Sequence, residues 1–354
     1  MSLLLLFGNS FAGVLDSIGM NTSQAYSMRR MRKGYSGKCC NIRRSSDSSS
    51  TDIGFTSTGD FDQASYEAFC GKNFLLNTAT LSTQSVTVVP AKYVLSFQGT
   101  GTVTLSGTST AGPLVGTGVS NRVSLAFTPT SGSLTLTVSG SVTSAQLEFG
   151  STASTYEART GTAASSGFIT TWYDQSTNAL NATQGTQATQ PQLLPRQHGE
   201  KPMSYFKASG TNNLAIASVN NPTSFCMASV GNASSSATFY PSAIFGNPHA
   251  YYRLDTDTWG TYLNGYVDIP FAIVAKSSSI INVRAFNDVD LIKDGTKTVK
   301  TNGLGFFSRA SAWIGTDGSN YLDGYIGEIF VSDVLSSGQT SALTASHQSY
   351  WGTP

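Results

Sequence analysis

Between Ser85 and Gly150 the chain alternates. The runs SVTVV, YVLSFQG, GTVTLSG, RVSLAFTP, SLTLTVSG and SAQLEFG place apolar residues at every second position, and Gly, Pro, Asn or Ser punctuates them. Period-two apolarity buries one face of a strand and cannot bury one face of a helix. Short strands repeating about every ten residues are the pattern of an antiparallel sandwich. Charge almost vanishes here: between Gly71 and Gly167 the only charged residues are Lys72, Lys92, Arg122, Glu148, Glu157 and Arg159. Residues 72–166 are therefore expected to form a small β-sandwich of their own.

The whole chain has 354 residues, too many for one small core, so two domains or one large all-β domain are expected. Charged residues make up 12%, about half the usual share, and the net charge is +1. A nucleic acid or a membrane surface would call for a basic excess, and neither is expected as a partner. Abundant Gly, Ser and Thr fit β-rich proteins of extracellular and virion surfaces. Four cysteines form no CxxC pair and have no histidine at metal-ligand spacing, so no metal or cofactor is expected. Adjacent Cys39 and Cys40 leave two readings open, a strained vicinal disulfide or two free thiols. The opening MSLLLLFGNSFAGVLDSIG lacks a basic n-region, and its apolar run, Leu3–Phe7, is followed by Asp16. Neither a signal peptide nor a membrane-inserted span is expected. Residues 1–20 read instead as an apolar arm that docks on its own domain or on a neighbouring subunit.

Residues 20–34 are expected to form a helix capped by Ser23 and stopped by Gly34. A strand follows over 39–44, with an apolar return at Ile53–Phe55. A second helix is expected over 60–70, capped by Asp60 or Asp62 and ended by Gly71. Beyond Gly167 strands dominate again. The Asp294-Gly295 pair marks a hairpin turn, and a helix is expected over 336–349.

In GFITTWYDQSTNALNATQ a β-branched run ends in Trp172-Tyr173-Asp174-Gln175-Ser176. Three roles are open to Asp174: turn organiser, ligand rim or catalytic acid. As organiser it would form Asx-turn bonds and pair with Arg43 or Arg44 of NIRRSSD. Asp255, Asp257, Trp259, Tyr262, Asp317 and Asp323 form the candidate ligand-binding set, with Tyr251, Tyr252 and Tyr266 as further aromatics. Sugars favour such rings beside carboxylates. Calcium could use the four aspartates, but no spaced D-x-D-x-D-G loop supports it. With no G-x-S-x-G and three scattered histidines, His198, His249 and His347, a Ser-His-Asp triad has no basis. The Gly clusters precede no helix and cradle no phosphate.

Two blocks carry a family resemblance. AYSMRRMRKGYSGKCCNIRRSSDSSSTDIGF with DFDQASYEAFCG, and FITTWYDQSTNALNATQ, resemble the catalytic domain of family-54 α-L-arabinofuranosidases. That family has the two blocks nearly contiguous, whereas 95 residues separate Gly71 from Gly167 here. The resemblance implies a concanavalin-like jelly-roll β-sandwich, parts 21–71 and 167–354, with the 72–166 sandwich inserted. DGYIGEIFVSD and the following helix resemble the closing elements of concanavalin-like jelly rolls. The inserted module resembles small carbohydrate-binding sandwiches of phage fibre and tail proteins. A retaining glycosidase needs two carboxyls about 5 Å apart. The resemblance places the family's acid at Asp317 and its nucleophile, a Glu in the family, on or near Asp257. The shorter Asp sets its carboxylate back by a carbon–carbon bond, and misplacement by about 1 Å costs on the order of a hundredfold. Asp257 and Asp317 thus read as vestiges, and the chain is expected not to be an enzyme.

Taken together, the chain resembles bacteriophage virion proteins. The expectation is a structural component of the capsid or tail surface that binds other virion proteins and assembles as a homo-oligomer, with trimers common among such appendages. Adhesion to host-surface glycans is its second expected role. A free-standing lectin is the alternative, and an arabinofuranosidase the more remote one.

Overall fold

The computed structural model describes residues 13–216, 225–233, 249–253, 258–262, 266–270, 279–286, 288–293, 296–301, 312–316, 321–333 and 335–352; from 225 to 312 only the backbone is described. The first stretch contains α1 (Val14–Ile18), β1 (Thr22–Ser27), β2 (Cys40–Arg44), β3 (Ser50–Ile53) and α2 (Gln63–Cys70). The alternating region supplies β4 (Gln84–Val88), β5 (Tyr93–Gly99), β6 (Thr102–Gly107), β7 (Leu114–Val115), β8 (Gly118–Phe127), β9 (Gly132–Ser139) and β10 (Val142–Phe149). Next come β11 (Gly167–Trp172), β12 (Ala182–Thr183), β13 (Gln192–His198), β14 (Lys201–Phe206) and β15 (Leu214–Ile216). Backbone alone defines β16 (Phe225–Ala233), β17 (His249–Arg253), β18 (Thr258–Tyr262), β19 (Tyr266–Pro270), β20 (Ser279–Phe286), β21 (Asp288–Lys293) and β22 (Thr296–Thr301). The chain closes with β23 (Ala312–Ile314), β24 (Gly324–Ser332) and α3 (Ser337–Trp351).

The protein is an all-β, antiparallel sandwich with a smaller sandwich inserted. The main sheet runs β22-β21-β20-β16-β24-β14-β13-β11-β12-β15-β23, with β1 on β24, β2 on β11 and β3 on β2. Strand β24 is its hub: β16 lies along one edge, and β1 and β14 share the other in tandem. Strands β21 and β22 pair antiparallel up to Lys293 against Thr296; Asp294 and Gly295, the expected hairpin turn, lie outside the described residues.

The alternating region builds two separate sheets, β10-β5-β8 and β4-β9-β6-β7. Its inward residues, among them Leu95, Phe97, Val103, Leu105, Leu134, Leu136 and Leu147, are buried; the residues between them are mostly exposed or half-buried in β4, β6 and β9, whereas Val94, Ser96, Gln146 and Glu148 of β5 and β10 are buried as well. Entry and exit lie side by side, since the Ser165 amide donates to the Cys70 carbonyl at 2.7 Å and Ala164 to Asn73 at 2.8 Å. An excursion closed in this way leaves β2 and β11 free to pair, Gly167 against Arg44. Arg196 of β13 then reaches into the module and binds Glu148 at 3.0 Å.

The helix expected over 20–34 is absent; β1 occupies its first half. Thr22, Gln24, Ala25, Tyr26 and Ser27 are all buried, and the strand pairs with β24, about 300 residues away. Ser23 caps nothing and donates instead to the Val331 carbonyl at 3.3 Å. A two-sided strand inside a sheet overrides local helix propensity. Helix α2 forms as expected, with Asp62 as its cap, accepting from Ser65 N. Helix α3 begins in a full capping box between Ser336 and Gln339. It runs on through Trp351, beyond the expected end, until Gly352 at φ 66° stops it. Trp351 explains the extra length: its ring lies so close over Gly327 that any Cβ there would meet it at 2.6 Å.

Of the apolar arm, residues 1–12 lie outside the described residues. The rest docks on its own chain, with Leu15 fully buried among Met31, Phe330 and Leu343.

Candidate functional site

Strand β11 ends in Trp172, which is fully buried and 6.1 Å from the Tyr26 ring. Anchored there, the chain turns, and the Asp174 carboxylate faces inward at 2% exposure. Its Oδ1 accepts from the backbone amides of Ala25 and Ser176, each at 2.8 Å. Its Oδ2 accepts from the Ser176 hydroxyl at 2.7 Å and the Leu180 amide at 2.9 Å. Gln175 extends the grip, accepting from the Met31 amide at 2.7 Å and donating to the carbonyls of Ser27 and Arg29, each at 3.0 Å. The D-Q-S triplet therefore laces residues 23–31 onto the end of β11.

The expected pairing of Asp174 with Arg43 or Arg44 does not occur. Arg43 donates to Gln190 at 2.7 Å and stacks on Phe168, and Arg44 binds both oxygens of Asp47. Register is the reason. Arg43 and Arg44 pair with Phe168 and Gly167 at the start of β11, and Asp174 lies past its end. At about 3.3 Å per residue, that separates them by roughly 20 Å.

Asp323 of the ligand-binding set is half-buried and accepts from the Tyr205 hydroxyl at 3.3 Å. The Tyr205 ring stacks on Tyr325 at 5.2 Å. Burial, then the Asp323 charge, pushes the Tyr205 phenol well above its ordinary range, so it stays a hydrogen-bond donor. Trp259 and Tyr262 sit on β18, the middle strand of a separate sheet. There Trp259 is paired with Tyr252, and Tyr262 with His249 and Tyr266. Asp255, Asp257 and Asp317 lie outside the described residues. Thr316 and Tyr321, which bracket Asp317, bridge to one another.

The most strongly polar cluster among the described residues was not singled out by the sequence. Glu328, in the middle of β24, is fully buried. It accepts from Arg29 Nε at 2.7 Å and Nη2 at 3.1 Å, from the Ser27 hydroxyl at 2.9 Å and from Trp351 at 3.4 Å. His347 Nε2 lies 2.8 Å from its Oε1. Although burial opposes the charge, Arg29 and His347 together hold the Glu328 carboxyl well below the usual carboxylate range. Burial pushes His347 down, so the imidazole is neutral and donates from Nε2. Arg29 also caps the Tyr350 ring, which Lys201 approaches at 4.2 Å from its centroid. A carboxylate inside the otherwise apolar run GYIGEIFVS was the available signal.

No protein-family model matches the sequence, and no curated protein matches it significantly. Solved structures do. A family-54 α-L-arabinofuranosidase soaked with a cyclic sulfate inhibitor superposes with a TM-score of 0.52 at 11% identity, covering 94% of this chain and 63% of that one. An arabinofuranosidase complexed with arabinofuranosyl-α-1,2-xylobiose gives 0.52 at 10% identity, with the same coverage. The chain spans less than two thirds of these proteins, and at such identity the likeness is one of fold.

Two outcomes are expected. In Asp174→Asn, either orientation of the amide turns its NH2 toward a backbone N–H that the carboxylate now accepts. The variant should lose roughly 1.5–3 kcal/mol in denaturant unfolding. Acid should also weaken the fold in two stages. His347 and Glu328 are both held below their unfolded values, so each contributes stability above its unfolded pKa that is lost as pH falls. Loss should begin below about pH 6.5 through His347 and steepen below about pH 4.3 through Glu328. Burial lowers His198 as well, so unfolding curves across pH should show His347→Gln shrinking the first stage while leaving the second in place.

Proposed function

We propose that the protein is a structural component of a bacteriophage virion surface that recognises saccharide on a sandwich scaffold of the arabinofuranosidase type. One observation carries the reading. The WYDQS block, through which the chain most resembles those enzymes, is spent on architecture: both oxygens of Asp174 are occupied in binding β1 and its own turn. The fold likeness over 94% of the chain supports a saccharide-handling scaffold. The low charge and the Gly/Ser/Thr-rich texture support a virion surface. Saccharide would meet Asp323, Trp259, Tyr262 and the aspartates at 255, 257 and 317.

In this reading the chain self-associates, with residues 1–12 as the contact. Residues 13–20 belong to the core of their own chain, so their deletion would unseat Met31, Phe330 and Leu343. Light scattering should therefore compare the full chain with one lacking residues 1–12 only. An oligomer that becomes monomeric on deletion is expected; a monomer in both forms overturns the assembly.

The fold likeness favours one second reading, a glycoside hydrolase resting on Asp257 and Asp317. Release of 4-nitrophenol from the α-L-arabinofuranoside should be absent. Turnover that disappears in Asp317→Asn would establish the enzyme instead.

A further inference from the structure

Strands β17, β18 and β19 form a sheet of their own, and its register sorts the aromatic residues of this region onto two faces. Both ladders are antiparallel and run without a register shift. Residues paired across strands share a face, and neighbours along a strand alternate. On one face, Tyr252, Trp259 and Ile269 form a cross-strand row beside the row Ala250, Thr261 and Val267. On the other, His249, Tyr262 and Tyr266 form the first row, Tyr251, Gly260 and Asp268 the second, and Arg253, Thr258 and Pro270 the third. Trp259 and Tyr262 stand three residues apart on β18, so they fall on opposite faces, and one ligand cannot lie against both.

The two faces differ in chemistry. The Trp259 face is apolar but for Thr261, which is the composition of a face that packs on a core. The Tyr262 face gathers three tyrosines, a histidine, an arginine and an aspartate. At its centre, on the middle strand, stands Gly260, flanked across the strands by Tyr251 and Asp268. Glycine inside a strand weakens it, and it marks places where a ligand or another backbone comes close. The central position of this face thus has no side chain of its own, while aromatic and polar residues surround it. Three rows and three strands cover about 13 by 10 Å, which is room for a disaccharide laid flat.

Ring and hydroxyl together make tyrosine suited to the apolar face and polar rim of a sugar. Asp268 supplies an acceptor beside the central gap, and His249 and Arg253 supply donors. One arginine and one aspartate balance on this face. A phosphate or a polyanion would call for a surplus of cations, whereas an uncharged sugar calls for rings with donors and acceptors around them.

We propose that the Tyr262 face of this sheet, centred on Gly260, binds a neutral saccharide, with Tyr251, Tyr262 and Tyr266 as the ring platform and Asp268 as the acceptor at its middle. The inference rests on the saccharide reading above and narrows its residues: of the aromatic pair named there, Tyr262 meets the ligand and Trp259 belongs to the fold.

The test is calorimetric titration of the full chain with cellobiose, lactose and N,N′-diacetylchitobiose. At least one should bind, with an affinity that added salt leaves unchanged, because no ionic contact is involved. Gly260→Val keeps a good strand former while filling the central position, and it should weaken that binding at least about tenfold. Tyr266→Ala, on the edge strand β19, should weaken it about tenfold, and Thr261→Val, on the opposite face, should leave it unchanged. Thermal unfolding of each variant reports whether the fold is kept, and Tyr266→Ala carries the test if Gly260→Val does not fold. A disaccharide held at wild-type affinity by Tyr266→Ala and by folded Gly260→Val overturns this face and leaves saccharide recognition standing elsewhere. Affinity lost in Thr261→Val and kept in Tyr266→Ala moves the ligand to the other face and overturns the proposal too. Self-association lost in Tyr266→Ala with saccharide affinity unchanged makes the face a subunit contact instead. No binding of any of the three disaccharides overturns the saccharide reading and this inference together.

Discussion

A carboxylate sits at 0% exposure in the central strand of the sheet, and much of the fold is arranged to keep it charged. Burying an ion costs several kcal/mol unless partners replace its water. Glu328 finds them in Ser27, the last residue of β1, in Arg29 just beyond it, and in His347 and Trp351 of the C-terminal helix. These segments lie at opposite ends of the chain. Once β24 carries Glu328, β1 must lie where its sequel can turn Arg29 inward, and α3 must cross that strand at His347 and Trp351. Gly327 supplies the clearance, because only a residue without Cβ lets the Trp351 ring approach. Removing Arg29 would leave the buried carboxylate without its counter-charge.

A second constraint holds the first in place. Past Met28, whose amide still donates to the Gly327 carbonyl of β24, the backbone leaves the strand, so its polar groups need other partners. Gln175 bonds the Met31 amide and the Ser27 and Arg29 carbonyls, and Asp174 holds the preceding strand residue, Ala25. The segment that presents Arg29 to Glu328 is thus fixed by a turn about 145 residues away. Because these bonds tie β1 to β11, whatever lies between β2 and β11 is free to vary. The inserted sandwich exploits that freedom: it leaves at Cys70, returns at Ser165 beside it, and touches the parent mainly through Arg196 and its neighbours.

What the sequence revealed follows the range of the interaction. The strands of the inserted sandwich, the Asp62 cap and the 336 helix start rest on residues a few positions apart, and their signals could be read directly. The segment 20–34 was misread because Ser23, the methionines and the arginines form a persuasive local helix pattern, whereas the force that makes it a strand comes from β24. Asp174 was rightly seen as a candidate turn organiser, since Asx chemistry is local. Its partners were misassigned because choosing between Arg43 and Ala25 requires the register of β2 on β11. Glu328 was legible only as an oddity, a charge in an apolar strand. Nothing local announces that Arg29 and His347 answer it.

The motif through which this chain most resembles the arabinofuranosidases is also the one most deeply engaged in structure. A general acid or nucleophile needs an oxygen that substrate can reach, and Asp174 has none to offer while β1 is in place. A motif of that kind persists as long as the fold does, whatever chemistry the fold performs, so it reports architecture and is silent on activity. Function must instead reside where the scaffold leaves side chains uncommitted.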